Sequence, residues 1–318
     1  MPTSPFVWKA KKDQAISHLI GTVHFRDLGH VAQACKPYLR NADKIYFEHT
    51  SETALKEEQK LLPNGQTIDT LLSDAERKEV YAFFTEAYHG ILTEQQVRRP
   101  ISKRKLWDLE LTAASIGSDK ERDRYDRAKE RLQQIYERLL VAQHLRTLPQ
   151  DYVEMGQQIP QLTRFIDAYE RRQHGKKIEA TEIFDHVLLA YAREMGKDIE
   201  AVDLPGDYVR LQDSVSLEAQ KALLLDTVRH VARGTFPNSG SEAVTIADVE
   251  RMLDPGERHA GERINNVHHA RTALWYKRTK EPLEKGNILI VTGVGHIVTD
   301  RGYVTLLQRD GFTVERIS

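Results

Sequence analysis

Four polar residues close short apolar runs in this 318-residue chain. Ala15-Ile16-Ser17-His18-Leu19-Ile20 stops at Gly21-Thr22-Val23-His24, and Lys44-Ile45-Tyr46-Phe47 ends at Glu48. Ile199-Glu200-Ala201-Val202 runs into Asp203, and Asn287–Val291 stops at Gly293-Val294-Gly295-His296. Two imidazoles with one or two carboxylates are the donors of a divalent-metal site; imidazole suits zinc, iron and cobalt, and carboxylate also suits manganese. A cation on His24 and His296 would lower the pKa of a bound water, with Glu48 as a further ligand or as general base. Residue types leave both roles of Glu48 open. Thiolate metal sites and internal disulfides are excluded, because Cys35 is the only cysteine.

These residues share one location if the runs are strands. A short, β-compatible apolar run ending at glycine reads as a buried strand. The run ending at Gly21, a helix over Gly29–Arg40 and the run ending at Glu48 form one βαβ unit, with Pro37 inside the helix. The run ending at Gly293, a helix over Gly302–Arg309 and a strand at Phe312–Val314 form another. A helix from about Ala180 to Met195, stopped by Gly196, leads into the run before Asp203. In a parallel sheet all four polar residues then stand at carboxyl ends, where α/β crevices open. Gly21 and Gly293 are expected to give the chain positive φ and leave room for a ligand. His49 should point away from Glu48 by the two-residue period, and Asp203 also reads as a cap on the Pro205 turn.

The fold expected is α/β: a small, mainly parallel central sheet built from N- and C-terminal βαβ units, with a long helical insertion. It reads as one domain over 1–318, with its core from 1–75 and 196–318 and the insertion at about 76–195. Within the insertion, Tyr125, Ala128, Leu132, Ile135, Leu139 and Ala142 step by threes and fours, marking an amphipathic helix packed on its neighbours or a homodimer seam. Pro63-Asn64-Gly65 and Pro237–Ser241 read as exposed loops. His268 and His269 fall in a helical pattern, more as surface residues than as site residues.

With 46 basic and 47 acidic residues, the chain has no global field to attract nucleic acid or an anionic membrane. The basic cluster Arg98, Arg99, Lys103, Arg104 and Lys105 lacks interleaved aromatics and reads as a solvated face. No apolar run spans a membrane and no leader is visible, so the expectation is a soluble protein, cytoplasmic if the chain is complete and exported if a leader was removed. There is no phosphate loop or nucleophile elbow, and Gly293-Val294-Gly295 lacks the third glycine of a dinucleotide fingerprint.

The pattern resembles the TraB/PrgY/GumN family, related to the Tiki metalloproteases and more distantly to erythromycin-esterase and ChaN-like proteins. The resemblance rests on both G-x-x-H blocks, Glu48, Leu71-Leu72 after Asp69, Phe184-Asp185 leading to Val202-Asp203-Leu204, Arg263 with Asn265 and Asn266, and Gly302, Leu306, Leu307 and Gly311. It implies a metal-dependent hydrolase acting on a peptide or small ester through His24, Glu48 and His296 with manganese, cobalt or zinc. Arg263 would organise the site or stabilise an oxyanion, supported by Asp203 and Asn265. It also admits a ligand-binding regulator without turnover, or a metal-free Glu/His hydrolase. The chain departs from the family pattern in having Asp203 where Glu is usual, and Ile264 between Arg263 and Asn265.

Overall fold

The computed structural model describes residues 6–22, 29–49, 56–63, 65–89, 91–145, 152–173, 184–204, 206–234 and 258–317. In chain order the elements are β1 (Phe6–Lys12), β2 (Ala15–Thr22), α1 (Gly29–Asn41), β3 (Lys44–Phe47), α2 (Ile68–Leu71), α3 (Asp74–Ala87), α4 (Glu94–Ile101), α5 (Leu106–Leu145), α6 (Tyr152–Gln173) and α7 (Phe184–Glu194). Then follow β4 (Asp198–Ala201), α8 (Asp207–Asp213), α9 (Leu217–Arg233), α10 (Arg258–Arg263), a π-helical segment (Ile264–His269), α11 (Ala270–Lys285), β5 (Ile288–Gly293), α12 (Gly295–Val298), α13 (Tyr303–Arg309) and β6 (Thr313–Arg316).

The strands form one sheet in the order β4-β3-β5-β2-β1-β6. β4, β3, β5 and β2 are parallel, while β1 runs antiparallel to both β2 and β6. The α/β reading with a mainly parallel sheet is thus observed. β1 is additional to the strands read from sequence. Its lysines, Lys9, Lys11 and Lys12, obscure an element whose Phe6, Trp8 and Ala10 pack on one face of the sheet and Val7 on the other.

Alternation explains the two-sided core. Leu19, Tyr46 and Ile290 face α11, α12 and α13, where they meet Trp275, Leu283, Ile297, Tyr303 and Leu307. Their neighbours Ile20, Ile45, Phe47, Leu289 and Val291 face α1 and α7, against Val31, Cys35, Leu39, Leu188 and Ala192. A parallel strand covered on both faces needs a continuous apolar run, and every residue of β5 is buried.

A separate helical cluster joins Ile68, Val80, Phe84, Val97, Leu106 and Leu109 to Leu224 and Val228 of α9. Its packing therefore draws on residues beyond the 76–195 stretch. The first part of the periodic face of α5 is covered within the chain: Tyr125, Ala128 and Leu132 pack with Leu162 and Ile166 of α6. The basic cluster is more paired than a solvated face requires: Arg98 meets Glu94, Arg104 meets Glu57 and Asp108, and Lys105 meets Asp213. Asn64 of the expected Pro63 turn and the Pro237–Ser241 loop lie outside the described residues. Among the described residues no helix is long and apolar enough to cross a membrane.

Candidate active site

The register of the sheet brings the strand ends together. Thr22 is paired with Gly293, Glu48 N–H donates to Val291 O at 3.0 Å, and Asp203 N–H donates to Glu48 O at 3.3 Å. Glu48 follows Phe47 and so takes the face of Tyr46, the side covered by α11. Its carboxylate is buried and accepts hydrogen bonds from a guanidinium, a hydroxyl and a backbone amide, with an imidazole nitrogen nearby. Arg271 of α11 reaches Oε1 at 3.1 Å and His49 Nε2 lies 3.3 Å from the same oxygen, while Thr292 Oγ1 and the Gly293 N–H each donate to Oε2 at 3.1 Å.

Arg271 also donates to Asp203 Oδ2 at 2.9 Å, and Trp275 Nε1 donates to Asp203 Oδ1 at 3.1 Å. The guanidinium thus lies between two buried carboxylates, stacked over Trp275 (4.6 Å) and Tyr208 (5.2 Å). Such a desolvated cation and its carboxylates are mutually dependent, since either alone in this environment is an uncompensated charge. Asp203 is accordingly a partner of Arg271 and Trp275.

His296 is buried at the start of α12. Its Nδ1 lies 2.6 Å from Thr272 Oγ1, and that hydroxyl lies 3.0 Å from the carbonyl oxygen of His268. A threonine hydroxyl has one proton and a carbonyl only accepts, so both contacts are satisfied when Thr272 donates to His268 O and accepts from His296 Nδ1–H. The tautomer so fixed has its lone pair on Nε2. The ring is also held by faces: His268 stacks on it at 3.9 Å and 12°, and Trp275 lies tilted at 4.4 Å.

His268, Arg271, Thr272 and Trp275 are spaced i, i+3, i+4 and i+7, one face of a helix. Sequence reading missed three of them and favoured the surface for His268, with the site as the alternative; the signal was this spacing, hidden because each residue type is common on exposed helices. Burial pushes the His268 imidazole down to about 4, reinforced by the neighbouring His269 and Arg271. Its Nδ1 is buried with no hydrogen-bond partner among the described residues.

Several expectations are corrected here. His49 turns toward Glu48 and Asp203 rather than away, because the ladder runs out at Glu48 and the two-residue alternation does not carry beyond it. The arginine at the carboxylates is Arg271; Arg263 lies about two helical turns earlier and binds Glu110 of α5 at 2.5 Å. Asn265 Nδ2 donates to Gly261 O and its Oδ1 accepts from Arg301, away from the carboxylate cluster's partners. Positive φ is found at neither Gly21 nor Gly293. Gly21 is required for space: a Cβ there would sit 3.0 Å from Val294 and 3.1 Å from Trp8.

His24 lies outside the described residues. Among the described residues no three His, Cys, Asp or Glu side chains are grouped as a metal-ligand set. The donor chemistry nevertheless fits a cation at His296, whose Nδ1–H···O bond is the second-sphere contact that orients a ligating imidazole. Glu48 fits less well, since Arg271 already balances its charge.

Searches of curated proteins and of solved structures returned no match. The sequence profile of the TraB/PrgY/gumN family, by contrast, matches residues 6–316. With nearly its whole length matched, the chain belongs to the TraB/PrgY/gumN family.

Proposed function

We propose that the chain is a hydrolase acting on a peptide or ester carbonyl at the Glu48–Arg271–His296 site. The observation that carries this reading is the assembly of Glu48 and Asp203 around Arg271 at one end of the sheet, with His296 against the same Trp275 ring that the guanidinium lies over. His24 and His296 would hold a divalent cation, manganese, cobalt or zinc, which when bound supplies a water of lowered pKa. Thr272 keeps the His296 lone pair on Nε2. Glu48 and Asp203 fix Arg271, and Trp275 with Tyr208 keeps water from its faces. Glu48 is on this reading an anchor, with ligation left to the histidines.

A metal-free hydrolase is the second reading. It is favoured by Arg271 itself, which already supplies positive charge between the two carboxylates. One experiment separates them: peptide-library and ester hydrolysis by the full chain, with and without chelator and added manganese, cobalt or zinc, together with metal analysis. The expected result is turnover that chelator abolishes and metal restores, with bound metal lost in His296→Ala and turnover lost in Glu48→Gln. Chelator-resistant turnover selects the metal-free reading, and absence of turnover under every condition removes both.

A further inference from the structure

Arg271 commits one of its guanidinium nitrogens and leaves the others open. Nη2 makes every hydrogen bond of the side chain with the described residues, at 3.1 Å to Glu48 Oε1, 2.9 Å to Asp203 Oδ2 and 3.3 Å to His49 Nε2. Nε is buried with no hydrogen-bond partner among the described residues, in a residue that is itself only 9% exposed. Nη1 has no partner among the described residues either and, unlike Nε, is not a buried atom. Buried donors without an acceptor are rare in folded chains, and costliest on a cation. The rings of Trp275 and Tyr208 lie against the guanidinium, so a ligand meets it in its own plane, at the edge that carries Nη1. Trp275 also holds His296, so that edge belongs to the cluster at the carboxyl ends of the strands, where α/β crevices open.

We propose that Arg271 is a catalytic residue whose Nη1–H donates a hydrogen bond to the acyl oxygen of the peptide or ester and meets the charge that gathers there as water adds. The assignment rests on the hydrolase reading and moves the oxygen-binding role from Arg263, whose Nη1 is spent on both oxygens of Glu110, to Arg271. The guanidinium is oriented before substrate arrives, because Glu48 and Asp203 hold Nη2 and two aromatic rings hold its plane, so no reorganisation is needed when the charge develops. The same two carboxylates select the acceptor. They oppose a ligand that arrives with a full negative charge, whereas a carbonyl oxygen gains its charge only in the tetrahedral state.

The test is binding of a dipeptidyl trifluoromethyl ketone, whose hydrate carries tetrahedral oxygens without a fixed charge, to the full chain in zinc and again in chelator. Nitrogen-resolved NMR reads the guanidinium protons of Arg271 in the unaltered protein, identified by their contact with the Trp275 ring. The expected result is that the Nη1–H protons shift on binding and exchange with solvent about 10-fold more slowly, the effect of one hydrogen bond gained. Arg271→Lys keeps a cation for Glu48 and Asp203 but loses the Nη1 edge, and should bind the ketone about 10-fold more weakly. Because the resonance is read in the unaltered chain, the inference stays testable if the Lys variant does not fold. Binding of the ketone with the Nη1–H exchange unchanged overturns the inference and leaves the hydrolase reading standing. No binding and no turnover by the unaltered chain overturns both.

Discussion

At the scale of single residues the molecule is organised by one cation. Arg271 is in contact with Glu48, Asp203 and His49, and the Glu48 and Asp203 side chains are 9% and 5% exposed. Removing one partner from such a cluster leaves uncompensated buried charge, at a cost of about 3–5 kcal/mol. Arg271→Gln is therefore expected to lower the unfolding free energy from urea titration by an amount of that order, and Arg271→Gln combined with Glu48→Gln to be less damaging than the sum of the two. Additivity of the two substitutions would show that they do not share an interaction. Cys35 makes the opposite case, a titratable group with no partner chemistry. It is fully buried between α1 and the sheet, and burial pushes its thiol up from 9.0 to about 12. The folded state thus holds its proton where an unfolded chain would ionise, so this contribution to stability is full below pH 9 and declines as pH rises towards 12. Near pH 8 the native protein should react slowly with an aromatic disulfide and the urea-unfolded protein rapidly; rapid native reaction would contradict the burial.

At the scale of elements, what a strand end can reveal differs from what a helix face can. Glu48, Asp203 and His296 were legible in the sequence because each interrupts an apolar run at a place where strands stop, and few structural needs put a charge there. Arg271, Thr272 and Trp275 were not, since a helix tolerates such residues on any exposed face and only the position of α11 over the sheet decides which face is buried. The same limit put the arginine role at Arg263, whereas packing pairs Arg263 with Glu110 and sets Arg271 at the carboxylates. The π-helical segment lies between them and holds an extra residue per turn; on its N-terminal side Arg263 reaches Glu110, and on its C-terminal side Arg271 reaches Glu48. Deleting Ile264 should regularise the helix and rotate Arg263 by about 100° relative to Arg271. The expected outcome is loss of the Arg263–Glu110 pair with the Arg271 cluster retained, so that Glu110→Gln lowers the urea midpoint of the deletion variant far less than that of the parent. An equal loss in both backgrounds would mean that the π segment does not set the register.

At the scale of the whole molecule, the site exists because the two ends of the sequence share one sheet. β5 lies between β3 and β2, and β6 lies on β1, so residues nearly the full chain apart become neighbours without any local contact between them. That arrangement was readable as far as the two G-x-x-H strand ends and the strand at Phe312–Val314 reached, but β1 was not, because lysines mask it, and without β1 the edge position of β6 could not be read. The described ends are themselves adjacent: Ile317 N–H donates to Val7 O at 2.9 Å. Joining residue 317 to residue 6 through a short Gly/Ser linker should therefore close the chain without strain, and new termini between Leu92 and Thr93 fall beside Ile91, which is 77% exposed. Opening there preserves the Thr93 cap of α4 and cuts no strand. Such a permutant is expected to unfold cooperatively with a Tm within about 5 °C of the parent, a change of roughly 1–2 kcal/mol for a chain of this size. It should also retain the Glu48–Arg271 cluster, read as an unchanged dependence of stability on Arg271→Gln. Ending the chain at Lys285 instead removes β5 from the middle of the sheet, along with the Thr292 and Gly293 donors to Glu48, and should abolish cooperative unfolding. A truncated chain that still unfolded cooperatively, or a permutant that did not, would show that the two ends do not build one core.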